Sequence, residues 1–95
     1  MASKRKLKKE INAVVLDLVG EYMMMRRFVP GVDPEKADAV LCKIIEIRNE
    51  YIRRIGANGG KDHKLVAAYY KKLRSDFGQR VDEVLSDFEA LTPKN

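Results

Sequence analysis

The run Ala13-Val14-Val15-Leu16-Asp17-Leu18-Val19-Gly20-Glu21-Tyr22-Met23-Met24-Met25 constrains this chain more than any other stretch. Ten of its thirteen residues are apolar, more than one side of a surface helix requires. Set out at about 100° per residue, Leu7, Ile11, Val14, Val15, Leu18, Tyr22, Met25 and Val29 fall on one face. That face is an ordinary core stripe. Leu16, Val19 and Met23 form a second stripe, rotated by roughly 130° from the first. A first helix buried on more than one side follows, and with it a surface that one small bundle need not cover.

The next segment, Val29-Pro30-Gly31-Val32-Asp33-Pro34, breaks that helix. Pro30 disfavours helix at Val29, Asp33 is a capping residue, and Pro34 suits a first helical position. A second helix is expected from Pro34 to Ile55, with Gly56 ending it. Its stripe is Ala37, Val40, Leu41, Ile44, Ile47, Tyr51, Ile52 and Ile55, with Arg48 in the middle and Cys42 on the opposite side. After Asn58-Gly59-Gly60, Asp62 caps a third helix reaching about Leu91, before Pro93. Ser75 to Gln79 imitates a fresh helix start. A new helix would begin in an arbitrary phase, yet Val66, Tyr70, Leu73, Phe77, Val81, Val84, Phe88 and Leu91 hold one narrow stripe through it. One long helix is therefore expected, with Gly78 free to allow a bend.

Three amphipathic helices with short connections give an all-α fold, an antiparallel up-down-up three-helix bundle over about 8–29, 34–55 and 62–91. The 95 residues make one domain, 10–92, large enough to hold a core. Residues 93–95 form a tail, and residues 1–9 a flexible basic arm, because lysines at a helix N-terminus oppose its dipole. Lys4, Arg5, Lys6, Lys8 and Lys9 carry the whole of the +5 net charge; the remainder, with fourteen acidic residues, is neutral. Glu10 and Asp17 interrupt the apolar run, against a signal peptide, and no stretch approaches the roughly twenty apolar residues of a membrane span. With a single cysteine, no intramolecular disulfide is available, and a reducing, cytoplasmic location is expected.

Catalytic chemistry finds no constellation. Cys42 and His63 are the only thiol and imidazole, and the bundle topology separates them by roughly 15–20 Å. No set of metal-ligand spacings, glycine-rich phosphate loop or nucleophile elbow is present, so no cofactor and no enzymatic activity are expected. Arg48, the one charge inside a core stripe, is expected to pair with Asp17 across the first turn. Up-down-up topology also gathers charge at the ends. Lys4, Arg5, Lys6, Lys8, Lys9, Arg53, Arg54, Lys61 and Lys64 form a basic pole. Asp33, Glu35, Asp38, Asp82, Glu83, Asp87 and Glu89 form an acidic one.

Two functions from different classes remain. Leu16, Val19, Gly20 and Met23 are expected to make a protein–protein interface, through which the chain self-associates as a dimer or receives a partner helix. The basic pole is the alternative, a nucleic-acid surface with salt-dependent, sequence-independent binding. No helix-turn-helix, aromatic platform or basic recognition helix accompanies it.

Overall fold

A computed structural model of the protein describes residues 4–56 and 63–93. The Asn58-Gly59-Gly60 turn, Lys61 and the cap at Asp62 lie outside the described residues, as does the side chain of His63. Three helices account for the described chain, α1 (Lys4–Phe28), α2 (Pro34–Gly56) and α3 (His63–Leu91), and no strand occurs among the described residues.

The first corner forms as its residues dictate. The Asp33 carboxylate accepts a hydrogen bond from the Glu35 amide at 3.0 Å, and the Ala37 amide closes the first turn onto the Asp33 carbonyl at 3.0 Å. Gly31 takes φ +82°, a conformation that side-chain-bearing residues rarely adopt. Pro93, just beyond α3, folds back over it: a Cβ on Gly31 would meet Pro93 Cγ at 3.2 Å. The C-terminal end of the described chain thus closes the far end of the bundle.

α1 begins at Lys4 and not near Lys8, so residues 4–9 are helix and not a flexible arm. The energetics explain the difference. Exposed bases at a helix N-terminus cost a few tenths of a kcal/mol each once screened. Leu7, only 1% exposed, gains about 1.5–3 kcal/mol by burial. The apolar contact outweighs the dipole.

The core is continuous along the three helices. Leu7, Ile11, Val15 and Leu18 of α1 meet Ile44, Ile47, Tyr51 and Ile55 of α2 and Leu73, Phe77, Val84 and Phe88 of α3. Apart from the tyrosine hydroxyls, no polar or charged side chain among the described residues is buried in it. Tyr51 and Phe77 pack edge-to-face across α2 and α3, with ring centroids 5.3 Å apart at 66°. α3 runs unbroken through Gly78, as the unbroken stripe implied.

Polar pairs along the rims set the directions. Arg48 bonds Asn12, and Asp38 bonds Tyr22, which makes α1 and α2 antiparallel. Lys43 with Asp87, and Arg54 with Asp76, do the same for α2 and α3. Arg74 with Glu10 aligns α3 parallel to α1. The result is the expected up-down-up bundle, a rod of 53 × 18 × 18 Å. Its α2 C-terminus carries an unanticipated cap: the Tyr69 hydroxyl donates to the Arg54 carbonyl at 2.7 Å, and that of Tyr70 to the Ile55 carbonyl at 3.4 Å. These carbonyls have no partner inside their own helix, so two tyrosines of α3 lock the end of α2 in place.

Candidate functional site

Four places in the rod were candidates for function on chemical grounds: the Arg48 position, the basic pole, the seam between α1 and α3, and the outer face of α1.

Arg48 does not pair with Asp17. Its Nε donates to Asn12 Oδ1 at 3.0 Å and its Nη1 to Asn49 Oδ1 at 3.2 Å. The α1–α2 register brings Asn12, more than one turn before Asp17, level with Arg48. An amide thus replaces the expected carboxylate, and Arg48 is a half-buried rim contact and no ligand site. The charged pair on this rim is instead Arg26 with Asp38, at 2.8 Å. Tyr22 joins it, donating to the same Asp38 oxygen at 2.6 Å, and that hydrogen bond holds the phenol above its ordinary pKa.

The basic pole is smaller than the sequence suggests. Arg54 does not stand free: it pairs with Asp76 at 3.1 Å and Glu50 at 3.8 Å, and stacks on the Tyr51 ring at 4.8 Å. Partial burial opposes its charge, but the Asp76 carboxylate together with Tyr69 and Tyr51 outweighs that and raises its pKa. Arg54 is therefore a structural residue of the α2–α3 rim. Lys61 lies outside the described residues. Lys4, Arg5, Lys6, Lys8 and Lys9 are exposed on the first two turns of α1, with Arg53 and Lys64 exposed at the same end. By helical phase the five α1 bases spread over an arc of about 200°, leaving the Leu7 side free of charge. A groove-tracking surface would need them on one face.

At the acidic end, several carboxylates are already engaged. Asp33 caps α2, Asp38 holds Arg26, and Lys43 takes Asp87 at 2.9 Å and Glu83 at 3.9 Å. Glu35, Asp82 and Glu89 remain exposed.

Between α1 and α3 lies a void of about 150 Å³, lined by Leu7, Ile11, Val14, Leu73 and Phe77, with Glu10 and Arg74 at its mouth. Its walls are hydrocarbon, and the ion pair at the rim, 3.2 Å long, offers no catalytic arrangement. The void is a packing defect of the seam. Val14→Ile places one more methylene toward it, worth about 0.8 kcal/mol if it fits. A rise of a few degrees in the thermal midpoint is expected; a fall would show that the seam has no room.

No group of three potential metal ligands occurs among the described residues, and no described helix is long and apolar enough to cross a membrane. Cys42 is exposed on α2.

The outer face of α1 is different in kind. Leu16 is 70% exposed, Met23 and Met24 62% each, and Phe28 65%. Ala13 and Gly20 are exposed beside them, and nothing lies within 4 Å of a Cβ placed on Gly20. Val19 departs from the expected set: it is half-buried, turned toward the α1–α2 seam and packed against the core. In its place Ile45 of α2 is 46% exposed. By phase Ile45 falls between Arg48 and Asp38, both of which reach α1, so it sits on the outer lip of the same seam. Met24 and Ile45 were not singled out from the sequence, since neither belongs to the Leu16/Val19/Met23 stripe. The 3-4-3 spacing of Ala13, Leu16, Gly20 and Met23 was the available signal.

Comparison with known proteins adds no identity: no family model, no curated protein and no solved structure matches the chain.

Proposed function

We propose that this protein is a non-enzymatic helical interaction module that self-associates through the outer face of α1. One observation carries the reading: Leu16, Met23 and Met24, large apolar side chains on one side of a single helix, are each more than 60% exposed. Exposed apolar side chains scattered singly are normal; several aligned at heptad spacing are the pattern of a helix seam awaiting its partner. Methionine side chains suit such a surface because they adapt to what they meet. The seam void and the rim pairs provide no reactive group that competes with this reading.

The double substitution Leu16→Glu/Met23→Glu tests it. Both positions are exposed, so the bundle is expected to keep its helicity and thermal midpoint. The wild-type chain is expected to sediment as a concentration-dependent monomer–dimer mixture, and the variant as a monomer throughout. Identical mass for the two chains at every concentration would rule out α1 as the interface.

Phosphate binding by the start of α1 is the second reading. It rests on the exposure of Lys4, Arg5, Lys8 and Lys9 on a folded helix. Their distribution around the helix gives it less support than the apolar face has.

A further inference from the structure

We infer that the partner for the α1 face is a second copy of this chain, set antiparallel, so that Leu16 of each copy seats on the partner's Gly20 and Met23 on the partner's Ala13. The proposal rests on the self-association reading above and adds its geometry.

The stripe alternates small and large: Ala13, Leu16, Gly20, Met23, separated by three, four and three residues. These positions share an arc of about 80° on the helix. A two-fold crossing level with Leu18 makes every layer pair a small residue with a large one, in the order Ala13 with Met23, Leu16 with Gly20, and then the reverse. A two-fold interface is isologous, so one alternating stripe is enough to complement itself. In parallel register the layers would be Ala13 on Ala13 and Gly20 on Gly20, leaving gaps, with Leu16 on Leu16 and Met23 on Met23 holding the helices apart. The socket is also open. Gly20 has no neighbour within 4 Å of its Cβ position, so a leucine side chain can approach its backbone.

The charge distribution selects the same direction. Parallel pairing brings Lys4, Arg5, Lys6, Lys8 and Lys9 of both copies together. Antiparallel pairing separates the two sets, carrying each to the partner's α1–α2 corner, where Asp33, Glu35 and Asp38 balance Arg26, Arg27 and Lys36. That corner is neutral in sum, so the five bases of one copy no longer face the five of the other. Lys9 comes level with the partner's Arg27, both exposed and able to turn into solvent.

Area sets the expected strength. A stable complex buries roughly 800 Å² per partner, more than four layers of one helix pair supply. Met24 and the Ile45 lip must contribute, and a reversible dimer in the micromolar range is expected.

The test uses the full chain carrying Cys42→Ser, which removes the exposed native thiol. Ala13→Cys and Met23→Cys are made separately in that background, mixed in equal amounts and mildly oxidised. Antiparallel pairing brings these two positions within disulfide reach of each other and keeps each from its own counterpart. The mixed disulfide is therefore expected to exceed either homodisulfide by about fivefold. Sedimentation of the Cys42→Ser parent runs alongside. A dimeric parent with homodisulfides dominant, or with no disulfide at all, overturns the antiparallel seam while leaving self-association standing. A parent that is monomeric at all concentrations overturns both and assigns the α1 face to a different protein.

Discussion

Tyr51→Ala is expected to remove about 3–5 kcal/mol of stability, the largest loss from any single truncation in this bundle. The side chain is 2% exposed and central to α2, and three interactions end with it. The edge-to-face contact with Phe77 disappears, the hydrocarbon contacts with the surrounding core are replaced by a cavity, and Arg54 loses the ring on which it stacks. The last effect spreads, because Arg54 also holds Asp76 of α3 and Glu50 of its own helix. Domains of this size hold a total of about 5–15 kcal/mol, so the variant is expected to unfold at a far lower urea concentration, or to be partly unfolded in buffer. Tyr51→Phe is the control. It keeps the ring, and with it the contacts to Phe77 and Arg54. Removing the hydroxyl is expected to change stability by less than about 0.5 kcal/mol. Equal losses for the two variants would locate the effect in the hydroxyl and not in the ring. Burial also pushes the Tyr51 phenol above its ordinary pKa. The stabilisation linked to its protonated form is thus complete below that value and declines as the pH rises through the shifted one.

Leu7→Ala is expected to cost about 2–4 kcal/mol and, beyond that, to release the first two turns of α1. Leu7 is the only apolar side chain among residues 4–9. Without it nothing offsets the bases around it, and the helix is expected to start near Glu10. Amide hydrogen exchange through residues 5–10 reads this directly, with fast exchange in the variant and protection in the wild type. An unchanged thermal midpoint would mean that the basic turns contribute nothing to the fold. In the proposed antiparallel dimer, releasing those turns detaches the basic residues from the rod, and the association is expected to weaken along with the helix.

Helix identity, the Pro34 start, the passage through Gly78 and the core stripes were legible because periodicity and capping are local. Each depends on residues within a turn or two of one another. The departures all involve quantities set between helices. The start of α1 turned on whether Leu7 would find a neighbour, which helical phase alone cannot decide. The expected Asp17–Arg48 pair depended on axial register, and a shift of little more than one turn exchanged Asp17 for Asn12. Arg54 seemed part of a free basic pole because its counter-ion, Asp76, is twenty-two residues away and its aromatic platform is on the inner side of α2. The tyrosine caps left no sequence signal at all: Tyr70 reads as a core position and Tyr69 stands outside the stripe, while their hydroxyls act on another helix's backbone. The candidate surface was legible in outline. Leu16, Gly20 and Met23 are exposed, whereas the half-burial of Val19 followed from its proximity to α2.

The absence of any charged or amide side chain from the described core has a consequence for how this sequence can change. Hydrocarbon surfaces are nearly interchangeable when volume is kept, so the interior distinguishes poorly between one vertical alignment of the helices and another displaced by a turn. That discrimination falls to a few rim contacts, Arg48 with Asn12, Lys43 with Asp87, Arg54 with Asp76 and Glu10 with Arg74. Individually each contributes little to stability. Together they act as an index, so descendants of this chain are free to drift among leucine, isoleucine and valine inside, while the alignment that presents the α1 face is inherited through the polar contacts at its edges.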